Sequence, residues 1–203
     1  MQGDGREERE DAPSTNGAAD DALSGLAPGP VGAVAAPDEP GVPSEDALMR
    51  TGLMLEPPDG PAEGRVMMIA CGALARELAA LRRLNGWDAV DIECLPARLH
   101  NRPERLPEAL RARARVARAR GYGRIVAVFG ACGAGGHIAA VCAEEGVETI
   151  AGAHCFSIFA GEGVEAETGA LHLTDFLVRQ FDAMFWKGLG LDRHPELIEM
   201  LFG

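Results

Sequence analysis

Residues 1–62 show no sustained hydrophobic period, whereas from Arg65 onward apolar and polar positions fall into repeating blocks. Val66-Met67-Met68-Ile69-Ala70 is a short apolar run closed by Cys71-Gly72, which predicts a strand and its turn. Leu74, Leu78, Leu81 and Leu84 follow at helical spacing, and Asn85-Gly86 stops that helix. Asp88–Leu95 alternates weakly and predicts a second strand, with Pro96–Pro103 as a loop. Glu104–Arg120 predicts a helix whose inner face is Leu106, Leu110, Ala114 and Ala117. Arg124–Phe129 is a strong third strand, turned by Gly130-Ala131-Cys132-Gly133. A helix over Gly136–Glu145 and a fourth strand over Val147–Ala151 come next. Leu171–Leu173 predicts a short strand, Thr174 caps a helix running to Lys187, and Pro195–Leu201 predicts a last helix with His194 at its N-cap.

Strands alternating with helices imply right-handed βαβ units. The expected fold is therefore α/β: three layers, a mostly parallel sheet with helices on both faces, Rossmann-like, over residues 65–203. One stretch, Ile125–Ala143, has no formally charged residue unless His137 is protonated, and its length would suit a membrane span. Four glycines in its middle and Glu144-Glu145 at its end read it instead as strand, loop and helix, so no membrane is expected.

Composition sharpens the boundary. Residues 1–62 hold 13 acidic side chains against 3 arginines, and 9 of the 13 prolines, with no aromatic residue. Such a chain buries too little apolar surface to offset its ordering entropy, so a disordered acidic tail is expected there. Met49, Met54 and Met67 are alternative starts. The formal charge of -12 falls almost wholly in that tail; residues 63–203 carry 18 acidic and 16 basic side chains. The folded part is thus not the basic body of a nucleic-acid binder, and nucleic acid is not an expected partner. Nine arginines lie between Arg98 and Arg124, which read as a solvated helix face rather than an anion-binding one. Five scattered cysteines in a chain of 203 residues do not make a disulfide framework, and the charged start has no apolar leader, so a cytoplasmic protein is expected.

In a parallel sheet, ligands bind beyond the carboxyl ends of the strands. Cys71 follows the first strand, His100 the second, Cys132 the third, and His154 and Cys155 the fourth. Five of the ten Cys and His residues thereby fall in four loops on one edge. Cys94 and Cys142 lie inside a strand and a helix and read as small buried hydrophobes. Thiolate with imidazole suits zinc, and a cysteine-dominated set suits an iron–sulfur cluster. Neighbours in an extended segment point opposite ways, so one of His154 and Cys155 is expected to face the site, with Cys155 the expected donor. The loop GACGAGG (130–136) follows a strand and opens a helix as phosphate loops do, but lacks their lysine and reads as close packing.

IACGALARE (69–77), CLPARLHNRPE (94–104), VFGACGAGG (128–136), GVETIAGAHCFSIFAG (146–161), GALHLTDFLVRQFD (169–182) and KGLGLDRHPEL (187–197) resemble a bacterial and archaeal family, domain of unknown function 1638, over roughly residues 65–203. The resemblance places the family's Cys and His at Cys71, His100, Cys132, His154 and Cys155. It carries no assigned reaction. Its members' association with corrinoid-dependent methyltransferases implies a role in corrinoid or one-carbon metabolism, with a corrinoid as a further candidate cofactor and a corrinoid protein or methyltransferase as partner. Members lack the acidic extension and continue past the LFG of residues 201–203 into another strand and helix, so a missing sheet strand is an expectation for the chain as given. Three functions are consistent with these residues: a metal-binding protein of methyl-transfer chemistry; a metal-free enzyme using the Cys132 thiol with His100 or His154 as base; and a non-catalytic accessory protein of a methyltransferase, docking through the arginine helix.

Overall fold

A computed structural model describes residues 39–55, 62–150, 158 and 174–202. Its elements, in chain order, are α1 (Glu45–Arg50), β1 (Leu53–Met54), β2 (Val66–Cys71), α2 (Ala75–Asn85), β3 (Val90–Leu95), α3 (Leu106–Ala119), β4 (Arg124–Val128), α4 (His137–Glu145), β5 (Glu148–Thr149), α5 (Asp175–Arg179) and α6 (Glu196–Phe202). Short 3-10 turns cover Gly72–Leu74, Ala97–Asn101 and Pro103–Arg105.

The five strands form one sheet in the order β1-β3-β2-β4-β5. β3, β2, β4 and β5 run parallel, and β1 alone is antiparallel, against β3. The expected α/β fold with a mostly parallel sheet is present. Strand periodicity explains the layers. Met67 and Ile69 of β2 and Ile125 and Ala127 of β4 face one side, where Leu106, Leu110, Ala114 and Ala117 of α3 and Ile138, Val141 and Cys142 of α4 cover them. Met68, Ala70, Ile92, Cys94, Val126 and Val128 face the other side, beneath Leu48 of α1, Ala75 and Leu78 of α2 and Phe176 of α5. Gly86 ends α2 in the left-handed conformation at φ 61, where its N–H caps the carbonyl of Arg83.

Three expectations are corrected. Residues 39–55, read as part of a disordered tail, form an arm on the domain: Ser44 caps α1 by accepting from the Ala47 N–H, and Leu48 and Leu53 are buried in the core. Tertiary burial of two leucines supplies what local composition does not. The helix expected from Thr174 to Lys187 is interrupted. Thr174 caps α5, but the backbone leaves helical geometry at Gln180 (φ -106, ψ 21), and Asp182–Trp186 follows as a wider π-type turn. The fourth strand is shorter than expected, and Ala151 and Leu171–Leu173 lie outside the described residues. Among the described residues no helix is long and apolar enough to cross a membrane; Ile125–Ala143 is β4, a glycine loop and most of α4.

The second strand also hides two acids. Asp91 is 1% and Glu93 8% exposed, both on the α3 side of the sheet. Asp91 accepts from Arg65 Nε and Nη2 at 2.7 and 2.6 Å and from the Tyr122 hydroxyl at 2.7 Å. Glu93 is paired with Arg113 of α3.

Candidate functional site

Strand order determines where a ligand-binding crevice lies. The chain leaves β2 toward α2 on one face and leaves the neighbouring β4 toward α4 on the other. Adjacent loops that diverge to opposite faces open a gap at the carboxyl edge, the topological switch point of such sheets. Cys71 is the last residue of β2, and Cys132 lies four residues beyond the end of β4, so both fall at this edge. Both are half-buried and pack against the α3–α4 core.

The loop after β4 is built from backbone geometry that few residues tolerate. The Ala134 N–H donates to the Ala131 carbonyl at 2.8 Å, closing a turn whose two central residues, Cys132 and Gly133, have φ of 46 and 72. Cys132 is the one non-glycine residue with positive φ among the described residues. A left-handed Cys costs about 1–2 kcal/mol relative to an ordinary conformation. The place a Cβ would take at Gly133 lies 3.7 Å from the Pro103 ring, so this turn meets the segment that follows His100. The three loops after β3, β2 and β4 therefore gather around the end of the central strand.

His100 sits in the 3-10 turn Ala97–Asn101 and is half-buried. Burial pushes its imidazole below the ordinary range, which keeps it neutral near pH 7. Neutral imidazole is the form that ligates metals or accepts a proton. The π-type turn Asp182–Trp186 packs near this 3-10 turn. Gly188 is pressed on the Asn101 side chain, leaving only 2.4 Å between a would-be Cβ and Asn101 Nδ2.

His154 and Cys155 lie outside the described residues. Among the described residues no three or more His, Cys, Asp or Glu side chains are arranged to hold a metal ion. Cys71, His100 and Cys132 have donor types that suit zinc, but the structure does not gather these three into a metal-holding group.

The other two cysteines behave as packing residues. Cys94 and Cys142 are 3% and 2% exposed. Burial pushes both thiols up, that of Cys142 to about 11, so neither is a thiolate at neutral pH. Iodoacetamide at pH 7.5 is expected to leave both unmodified in the native protein, read by peptide mass spectrometry. Early modification of Cys142 would contradict its burial on the inner face of α4.

The arginine helix is largely occupied within the molecule. Arg111 and Arg115 bind Glu144 and Glu145 of α4, Arg113 binds Glu93, and Arg118 donates to the carbonyls of Tyr122, Gly123 and Gly146. These bridges tie α3 to α4 and to the sheet. Sequence reasoning missed this use; the acids that pair with them are Glu144-Glu145, the residues that ended the apolar run.

Against this geometry, residues 94–203 match the model of a family described as protein of unknown function (DUF1638). The chain belongs to that family. The match begins at Cys94, inside β3, and takes in the loops carrying His100 and Cys132. No curated protein and no solved structure matches the chain.

Proposed function

We propose that the crevice between the ends of β2 and β4 is a soft-metal site, with zinc as the ion, in which Cys71, His100 and Cys132 act with a fourth donor from His154 or Cys155. What supports this reading is that Cys71 ends β2 and Cys132 follows the neighbouring parallel strand β4 at the switch-point edge, with Cys132 held in a left-handed backbone. Zinc bound there would supply Lewis acidity and hold a thiol as its thiolate. The neutral His100 presents a lone pair without first losing a proton. The half-burial of both thiols limits water at the crevice while leaving a ligand access. Through the family resemblance, the reaction proposed is methyl transfer in corrinoid or one-carbon metabolism, with a corrinoid protein or methyltransferase as partner.

A second reading shares the same geometry: a metal-free enzyme in which the Cys132 thiol attacks and neutral His100 takes its proton. It is favoured specifically by the left-handed turn, which fixes the Cys132 side chain, and by the neutral imidazole. Elemental analysis of anaerobically purified, untagged protein separates the two. About one zinc per chain supports the metal site. Stoichiometric iron with visible absorption would replace zinc by a cluster. Absence of metal with rapid alkylation of Cys132 alone would support the nucleophile.

A further inference from the structure

The arm of residues 39–55 reaches the same edge of the sheet as the crevice. β1 pairs antiparallel with β3, Leu53 opposite Cys94 and Met54 opposite Glu93, so the preceding α1 stands at the carboxyl edge. There α1 packs against Gly72–Leu74 and Ala97–Asn101, the turns that continue from Cys71 and contain His100. The contact is close. The Leu48 carbonyl lies 3.1 Å from where a Cβ on Gly72 would sit, and Gly52, at φ 76, leaves only 1.9 Å between a would-be Cβ and the Cys94 carbonyl.

The arm is held at its edge of the sheet by a local set of attachments, with Val42, Met49 and Leu55 packed beside its two buried leucines. Leu48 is wholly buried and Leu53 nearly so. Glu39 pairs with Arg83 at 2.6 Å, and Glu45 reaches Arg76 and Arg179 at 3.0 and 3.1 Å. Its ladder is a two-residue strand at the sheet margin. A segment whose backbone pairing is confined to the sheet margin can open without unfolding the parallel sheet, whose β2, β3 and β4 share full-length pairings.

From this we infer that residues 39–55 form a strap that closes the Cys71–His100 side of the crevice and lifts to admit a ligand. The inference rests on that edge being the functional site. The simpler role of covering the free edge of β3 predicts no change at Cys71 when the arm is released.

Alkylation kinetics decide between the two. The full chain is treated with iodoacetamide in the presence of a chelator, and each cysteine is followed by peptide mass spectrometry. Hydrogen exchange of residues 45–54 reports arm release. Gly52→Val drives a side chain into the Cys94 carbonyl and is expected to free the arm, raising the Cys71 rate by about tenfold or more. Cys132, after β4, should change by less than about twofold, and Cys142 should stay protected as the sign of an intact fold. A released arm with an unchanged Cys71 rate would overturn the strap. Should Gly52→Val expose Cys142, the double variant Glu39→Ala/Glu45→Ala decides: it removes only ion pairs and should raise the Cys71 rate about threefold, and no rise there overturns the proposal equally. Because the chelator is present throughout, a protein that holds no metal leaves this outcome unaffected.

Discussion

Replacing Asp91 with alanine is expected to cost the fold about 3–5 kcal/mol at pH 7, the usual penalty for removing one partner of a buried ion pair. Asp91 is buried and receives three hydrogen bonds, two from Arg65 and one from Tyr122. Without it, the Tyr122 hydroxyl loses its acceptor, and Arg65 keeps only the Asp88 carbonyl. Burial by itself would raise the Asp91 carboxyl. The bonds from Arg65 and Tyr122, with the charges of Arg65 and Arg82, outweigh it and hold the carboxyl below its ordinary value. The sign follows from that direction. A carboxyl lowered in the folded state contributes its stability above the unfolded value, about 4, and loses it as pH falls through the folded value. Wild type and Asp91→Ala should therefore differ most near pH 7 and converge under acid, measured as urea midpoints across pH 3–8. A gap below about 1 kcal/mol at pH 7 would mean that solvation losses cancel the pair. Tyr122→Phe is the milder comparison, about 1 kcal/mol, because Arg65 still satisfies the carboxylate. The Tyr122 hydroxyl is pushed up to about 12 by burial and by its bond to Asp91. Its contribution is complete below the unfolded value near 10 and fades as pH rises through 12, a loss that the Phe variant should lack.

These residues also mark how far the chain is legible. Strands β2, β3 and β4 were readable because apolar runs end at turns, and α3 because Leu106, Leu110, Ala114 and Ala117 keep helical spacing. Asp91 and Glu93 alternate with Val90 and Ile92 in a way that local pattern assigns to a wet face. Their partners, Arg65, Tyr122 and Arg113, are distant in sequence, and only the packing of α3 makes that face dry. The arm was illegible for a related reason. Ser44 followed by Glu45 and Asp46 is a helix start, yet six residues of helix and two of strand have no local stability, and Leu48 and Leu53 become decisive only when the edge of β3 receives them. The break at Gln180 has neither Pro nor Gly to announce it. At the site, placing Cys71, His100 and Cys132 on one edge needed only parallel strands. That Cys71 and Cys132 follow neighbouring strands depends on β2 lying between β3 and β4, an order that spacing along the chain does not encode.

The left-handed turn gives the site its sharpest test, because function and stability should move in opposite directions there. Cys132 occupies a conformation, φ 46, that glycine adopts freely and cysteine does not. The next residue is Gly133, also left-handed, and the turn closes on Ala134, so glycine at 132 would be accommodated without altering the hydrogen bond from Ala134 to Ala131. Relief of backbone strain is worth about 1 kcal/mol, partly offset by the added freedom of the unfolded chain and by the loss of side-chain contact with the α3–α4 core. Cys132→Gly is thus expected to leave metal-free stability unchanged or slightly raised, read by urea unfolding with chelator present. The same variant should lose bound metal, since a site with three remaining donors keeps little of the affinity of one with four. Cys71→Ser should lose it too, while Cys142→Ala, on the buried face of α4, should retain it at modest cost to stability. Opposite signs in one variant separate a residue kept for chemistry from one kept for packing. If Cys132→Gly instead retains wild-type metal content, or destabilises the metal-free protein by more than about 2 kcal/mol, the thiol serves the core and the soft-metal reading of this crevice fails.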